Sequence, residues 1–131
     1  MGQPSCTLMS RLIRIFAVAT VLNAGLLGQV LAHAHLESAV PAENAIMKVS
    51  PVEIDLTFSE GLNLKFSGAT ITGPGKATIS TGQAKLSINN HKTLVIPLSA
   101  PLASGEYTVN WTALSTDGHK TKGSYTFTVK P

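Results

Sequence analysis

The stretch that decides the fold lies near the C-terminus: Tyr107-Thr-Val-Asn-Trp-Thr-Ala-Leu-Ser-Thr-Asp-Gly-His-Lys-Thr-Lys-Gly-Ser-Tyr-Thr-Phe-Thr-Val129. Apolar and polar residues alternate at both ends of this stretch with a period of two, which is the period of a half-buried β-strand. The short polar segment between the alternating runs is typical of a hairpin loop. We therefore predict an antiparallel pair of strands, residues 107–114 and 124–129, joined by a loop that carries Asp117 and His119.

Short strands are also predicted in the rest of the chain. Their ranges are 36–40, 52–58, 66–72, 77–80, 84–88 and 93–98. Pro and Gly separate them at intervals of about eight to twelve residues, the spacing typical of a β-sandwich, and no segment after residue 32 has a helical period. Trp111 and Tyr125 fall on apolar faces and are predicted to be core residues. The pattern predicts an all-β fold: a small Greek-key β-sandwich or barrel of the immunoglobulin-like kind.

The N-terminal segment, residues 1–32, is predicted to be a cleaved signal peptide. Two arginines precede an apolar run at residues 15–22, and small residues ending at Ala32 fit the site that a signal peptidase recognises. A retained membrane anchor is the alternative, but polar residues and glycines interrupt the run, and a span needs about 20 mostly apolar residues. We therefore expect an exported domain, residues 33–131, that is not inserted in the membrane.

Charge and cysteine content limit the possible functions of that domain. Residues 33–131 contain eight lysines and seven acidic side chains, so the domain is nearly neutral although the whole chain has a net charge of +3. This balance gives no support to nucleic-acid binding, which requires a basic patch. The only cysteine precedes the apolar run, so the exported domain must be stable without disulfides.

The new N-terminus is a candidate metal site. All four histidines of the chain follow residue 32, and two of them are His33 and His35. Cleavage after Ala32 would free the α-amine of His33, which can chelate one metal ion together with the imidazole of the same residue. Nitrogen ligands with a carboxylate nearby suit Cu(II), which also heads the divalent affinity series. Cleavage after Ala34 is an alternative that would give this role to His35.

The loop Asp117-Gly-His119 has the right form to complete such a site. Residues two apart in an extended chain point to the same side, and the carboxylate can bind a metal or orient an imidazole. Because the ligands must be deprotonated, binding should weaken at acid pH. Two plainer interpretations stay open from the residues alone. Asp-Gly is a common turn dipeptide, and His33 and His35 also fit a terminus without a defined role.

Taken in order and spacing, residues 33–131 resemble the periplasmic copper-binding proteins of the CopC family, and most closely its YobA-like branch. The matching motifs are the N-terminal His with Leu36 and Pro41-Ala-Glu43, Ile54-Asp-Leu-Thr-Phe58-Ser-Glu60, Phe66-Ser-Gly-Ala69, Leu98-x-x-Pro101-Leu-x-x-Gly105-x-Tyr107-Thr-Val, Trp111, Ser115-x-Asp117-Gly-His119 and Gly123-x-Tyr125-x-Phe127. The resemblance implies a small Greek-key barrel or sandwich. It also implies Cu(II) ligands at the mature N-terminal His, through amine and imidazole, and at the late Asp-x-His motif. By position these ligands are His33, Asp117 and His119.

The resemblance implies a function as well. It indicates a periplasmic protein that binds one Cu(II) ion per mature chain, is not an enzyme, and acts as a carrier or buffer in copper homeostasis or resistance. A membrane partner of the CopD type, in the inner membrane, is implied with it. Some relatives have a methionine-rich Cu(I) loop, but residues 78–84 contain no methionine, so we expect no Cu(I) site.

Three alternatives accompany this interpretation. His35 is third in the mature chain, and an X-X-His terminus can bind Cu(II) through its amine, two deprotonated amides and the third imidazole, so His35 is a possible additional or competing ligand. An N-terminal His that chelates copper also occurs in enzymes that cleave polysaccharides oxidatively. A β-sandwich interaction module without any metal is the third alternative.

Overall fold

The computed structural model describes residues 33–131, which form two β-sheets of four strands each. The strands are β1 Leu36–Val40, β2 Ile46–Met47, β3 Glu53–Phe58, β4 Gly68–Thr72, β5 Lys85–Leu86, β6 Thr93–Pro97, β7 Gly105–Leu114 and β8 Lys120–Val129. Two short 3-10 turns, Leu64–Phe66 and Pro74–Lys76, are the only helical segments within the described range. Neither of them is long and apolar enough to cross a membrane. The predicted signal peptide lies outside the described residues.

The strands are ordered β1-β3-β6-β5 in one sheet and β2-β8-β7-β4 in the other. All pairs are antiparallel except β2 and β8, which run parallel. The chain crosses from one sheet to the other several times, so neighbours in a sheet are mostly not neighbours in sequence. The predicted all-β sandwich is confirmed.

The core lies between the two sheets because the strands alternate as the sequence predicts. Along β3, buried side chains alternate with half-buried ones, and Ile54, Leu56 and Phe58 are fully buried. The inward side chains of β7 and β8 oppose them, with Tyr107 stacked on Phe127 at 5.6 Å between ring centroids. Burial of such apolar surface is the main force that holds two sheets together.

The prediction at the C-terminal hairpin is confirmed, and the hairpin is longer than predicted. Strand β8 begins at Lys120 rather than Ser124, because pairing with β7 continues from Gly105↔Val129 without a break to Leu114↔Lys120. The first residues of β8 are lysine and threonine, which show no apolar alternation. They form a strand only because they pair with β7.

Two of the other predicted strands are wrong or shortened. Residues 77–80 form no strand: the turn at Pro74–Lys76 folds them back, and a single bridge joins Thr72 to Thr78. The predicted strand 84–88 shrinks to Lys85–Leu86. The reverse error occurs at β2, Ile46–Met47, which lies outside all the predicted strands.

Trp111 sits on the inner side of the hairpin, half-buried against Phe58, with 5.1 Å between ring centroids. Its indole lies across Gly123, its partner on β8: a Cβ added at Gly123 would be 2.5 Å from Cζ2 of the indole. The glycine therefore provides the space that lets the only tryptophan of the chain pack on the core. Its predicted core position is borne out, although its burial is incomplete.

Candidate metal centre

The two predicted loop ligands lie in the turn between β7 and β8. The N–H of Ser115 donates to the carbonyl of His119 at 3.0 Å, and the N–H of Gly118 donates to the carbonyl of Ser115 at 2.9 Å. Gly118 has φ +92°, a conformation that glycine adopts at little cost. The turn interpretation of Asp-Gly is therefore correct, and the turn also brings Asp117 and His119 to one end of the sandwich.

Ser115 anchors the carboxylate of Asp117. Its side chain is buried, and its hydroxyl donates a short hydrogen bond to Oδ1 of Asp117. The N–H of His119 approaches both oxygens, at 3.2 Å from Oγ of Ser115 and 3.3 Å from Oδ1 of Asp117. The hydrogen bond from Ser115, and after it the contact with His119, holds the pKa of Asp117 below its usual value. Asp117 is therefore an exposed carboxylate that stays ionised at neutral pH.

The imidazole of His119 lies beside the same carboxylate. Its Nδ1 lies 3.2 Å from Oδ1 of Asp117, yet this nitrogen is buried and has no well-directed hydrogen bond among the described residues. Buried polar atoms are rarely left without a partner. A nitrogen in this position, next to an ionised carboxylate, fits a donor set for a divalent metal such as Cu(II).

His33 meets His119 at the same end of the molecule. The two ring centroids are 4.7 Å apart and the planes are perpendicular. The structure thus brings together the terminal His and the Asp-x-His loop, which are distant in sequence. Within residues 33–131, however, no three His, Cys, Asp or Glu side chains form a ready-made metal cluster. The α-amine that we expect as the further donor at His33 exists only after cleavage, because residue 32 is otherwise bonded to that nitrogen.

Two hydroxyls hold the segment between His33 and β1. The hydroxyl of Ser59 donates to the carbonyl of His33 at 3.1 Å and accepts from the N–H of His35 at 2.9 Å. The hydroxyl of Thr121 donates to the carbonyl of Ala34 at 2.7 Å, and the methyl of Ala34 is completely buried. The terminus therefore has a defined path in the fold, which contradicts its interpretation as a featureless end.

His35 is tied to Ser59 through its backbone. It is exposed, and both its N–H and its carbonyl bond to Ser59, at 2.9 Å each. The backbone of His35 is therefore committed to the contact between the start of β1 and the end of β3.

The two residues that hold the segment before β1, Ser59 and Thr121, could not be recognised from the sequence. Ser59 and His33 are 26 residues apart in the chain, and Thr121 and Ala34 are 87 apart, so no local pattern reveals either contact.

A comparison with known families identifies the fold family of the chain. The model of the CopC domain matches residues 36–130. This chain belongs to the CopC family. The match begins three residues after His33 and includes the whole Asp117-Gly-His119 loop, so it covers both sheets of the described structure.

Relatives and solved structures of the CopC family resemble the chain over most of its length. Protein YobA of Escherichia coli K12 is 47% identical over 115 residues, which covers 88% of this chain and 93% of that protein. A copper resistance protein C of Escherichia coli is 42% identical over 107 residues, covering 76% of this chain and 83% of the relative. The crystal structure of PcoC, a methionine-rich copper resistance protein from Escherichia coli, superposes with a TM-score of 0.69 at 38% identity, covering 76% of this chain and all of PcoC.

Proposed function

We propose that this CopC-family protein is a periplasmic Cu(II)-binding protein that carries or buffers copper in copper homeostasis or resistance. The observation that carries the proposal is the 4.7 Å approach of the His33 and His119 rings. His33 lies against an exposed turn that carries the ionised carboxylate of Asp117, as expected if the two segments share a ligand. Relatives that are named copper resistance proteins support the same assignment.

One ion per mature chain would be held by donors from both ends of the sequence. His33 supplies its imidazole and the amine that cleavage after Ala32 frees, His119 supplies a second imidazole, and Asp117 supplies a carboxylate. Imidazole and amine nitrogens with one carboxylate suit Cu(II). All these donors bind in their deprotonated forms, so affinity should fall as the pH is lowered.

The chain is suited to Cu(II) rather than Cu(I). Soft thioether ligands select Cu(I), and Met47 is the only methionine in residues 33–131. The solved relative PcoC is described as methionine rich, so this protein differs from it in the residues that a Cu(I) site needs. We therefore propose one Cu(II) site without a second, Cu(I)-type site.

The proposed carrier role requires export and an acceptor. Export follows from the signal peptide that we assign to residues 1–32, and the acceptor would be an inner-membrane protein of the CopD type. A carrier performs no chemistry on the ion, which is consistent with a site that consists of metal donors alone. We therefore propose that the protein is not an enzyme.

The test is a Cu(II) titration of the protein processed to begin at His33. This chain contains both sheets and forms one unit of its own, so it is the folded domain. Quenching of Trp111, the only tryptophan, reports binding, and electron paramagnetic resonance reports the ligands. One tight site, with nitrogen couplings from two imidazoles, is the expected result.

Two variants decide which donors are used. His119→Ala removes the loop imidazole, and one extra residue before His33 converts its amine into an amide; each should abolish the tight site. His91→Ala is the control, because His91 is exposed on the β5–β6 hairpin and should leave binding unchanged. A tight site that survives either the His119 change or the extension would refute the proposed ligand set.

A further inference from the structure

The segment His33-Ala34-His35 contains two possible Cu(II) chelates, and they exclude each other. In one, His33 binds copper with the loop ligands. In the other, the amine of His33, the amide nitrogens of Ala34 and His35, and the imidazole of His35 surround the ion. The second chelate forms when each of the two amides loses its proton to solvent and its nitrogen bonds to the ion. Sequence alone gives no means of choosing between them.

We infer that Ser59 and Thr121 are positioning residues that direct Cu(II) to the His33–Asp117–His119 site and block the X-X-His chelate. This inference rests on the proposed function and deepens it. Ser59 accepts the N–H of His35 at 2.9 Å, and that nitrogen is one of the two that the X-X-His chelate must deprotonate and turn towards the metal. As long as the N–H points at Ser59, the nitrogen has no electron pair to offer to an ion.

Thr121 holds the same peptide group from its other side. Its hydroxyl donates to the carbonyl of Ala34 at 2.7 Å, and this carbonyl belongs to the same peptide group as the N–H of His35. The two hydroxyls therefore hold one peptide group from opposite ends. Rotating that group towards a metal would break both hydrogen bonds, each of which contributes modestly to stability.

Ala34 and His33 add two further restraints. The methyl of Ala34 is fully buried in the core, so folding the segment around an ion would pull it out of its apolar contacts. The carbonyl of His33 accepts from Ser59 at 3.1 Å, and this contact keeps the His33 ring beside His119. We call the hydrogen bonds that Ser59 and Thr121 make with residues 33–35 the clamp. The clamp favours the chelate with His119 and opposes the X-X-His chelate.

The clamp predicts a change of coordination when the hydroxyls are removed. In the processed protein, the double variant Ser59→Ala with Thr121→Val should bind Cu(II) with the spectrum of an amine–amide–imidazole chelate, seen by electron paramagnetic resonance and visible circular dichroism. Binding in this variant should no longer depend on His119 and should be lost on His35→Ala. Wild-type binding should be lost on His119→Ala and should persist on His35→Ala.

Conservative and matched variants separate the clamp from general damage. Ser59→Thr and Thr121→Ser keep the hydroxyls and should keep the wild-type spectrum. Ser38→Ala on β1 and Thr128→Val on β8 remove hydroxyls of the strands that flank the segment without touching residues 33–35, and should also leave the spectrum unchanged. Circular dichroism in the far ultraviolet, with urea unfolding, checks that every variant is folded.

A measurement without metal tests the clamp by itself. Amide hydrogen exchange of His35 in the metal-free protein should be about tenfold faster in Ser59→Ala, the factor expected for the loss of one hydrogen bond. An unchanged exchange rate of the His35 amide would overturn the clamp, whatever the copper-binding spectra show. So would a double variant that keeps the wild-type spectrum and its dependence on His119. A wild-type protein that binds no copper, or binds it without His119, would instead overturn the proposed function and with it the choice that the clamp is said to make.

Discussion

The two tyrosines of the chain differ in what their hydroxyls meet. Both side chains are buried in the core. The hydroxyl of Tyr107 donates to the carbonyl of Ala103 at 2.6 Å. The hydroxyl of Tyr125 is buried and has no hydrogen-bond partner among the described residues. A buried polar group without a partner costs stability, whereas a paired one contributes modestly.

Replacing each tyrosine with phenylalanine should therefore change stability in opposite directions. Tyr107→Phe leaves the Ala103 carbonyl without its donor and should lower the free energy of unfolding by about 1 kcal/mol. Tyr125→Phe removes an unpaired hydroxyl and should be neutral or stabilising by up to about 1 kcal/mol. Urea unfolding at neutral pH, followed by Trp111 fluorescence, measures both. An equal loss in the two variants would contradict the difference in pairing.

Tyr125 should also make the protein sensitive to alkali. Burial, and after it the nearby Asp55 carboxylate, raises the pKa of Tyr125 from 10.0 to about 12. Below pH 10 the tyrosine is neutral in both states, so its contribution to stability is complete there. Between pH 10 and 12 only the unfolded chain ionises, and the folded state loses stability. Unfolding at a series of alkaline pH values should show this loss, and Tyr125→Phe should reduce it.

Ser115 controls the ionisation of the loop carboxylate. In Ser115→Ala the main cause of the lowered pKa of Asp117 is removed, so that pKa should return towards the ordinary 3.8. Since the folded pKa is the lower one, its stabilising effect is complete above 3.8 and is lost as the pH falls through the folded value. NMR titration of the Asp117 carboxyl tests the shift. A freely rotating carboxylate should also weaken Cu(II) binding by up to about tenfold, while Ser38→Ala should leave both properties unchanged.

At the scale of elements, the β7–β8 hairpin depends on close contact between Trp111 and Gly123. Gly123→Ala places a methyl 2.5 Å from the indole, and we expect the free energy of unfolding to fall by about 1–3 kcal/mol from overpacking. Gly68→Ala on β4 is the matched control, because its Cβ would meet nothing within 4 Å. That change should stay within about 0.5 kcal/mol. Equal effects at the two glycines would show that the indole has room to move.

Strands were predictable from alternation where one face is buried and the other is exposed to solvent. Alternation located β3 and the hairpin because each has a core face, which imposes a period of two. It failed at residues 77–80, where apolar and small residues alternate but a 3-10 turn redirects the chain. It also failed at Ile46–Met47, since two residues are too few to show a period and the parallel contact with β8 is set by the fold alone.

For the candidate site, the sequence predicts only the donors. The side chains of His33, Asp117 and His119 can bind copper, and the resemblance to the CopC family predicts them as a ligand set, which stays a prediction. Their support could not be foreseen: Ser59 and Thr121 are ordinary hydroxyl residues within strands or strand ends. What they contact depends on which strands become neighbours, and no short motif encodes that.

At the scale of the whole molecule, the alternative of an enzyme that cleaves polysaccharides predicts a surface that holds these ligands. Such ligands are typically held by stacking on exposed aromatic rings, and Phe66 is the only exposed one among the aromatic residues of 33–131. Copper-loaded protein with a reductant and cellulose or chitin should therefore release no oxidised sugars above the level of free copper. Soluble products that disappear in His119→Ala would revive the enzyme alternative.

The direction of β8 determines how the protein can be attached to a surface. The strand starts at Lys120, next to the candidate ligands Asp117 and His119, and its ten residues carry the chain about 30 Å away from them. A tether joined beyond Val129 would leave the metal end facing the solution, whereas a tag before His33 would consume the amine. An electrode coated with this protein should thus respond to copper when the protein is attached through its C-terminus. It should give no response when the protein is attached through its N-terminus.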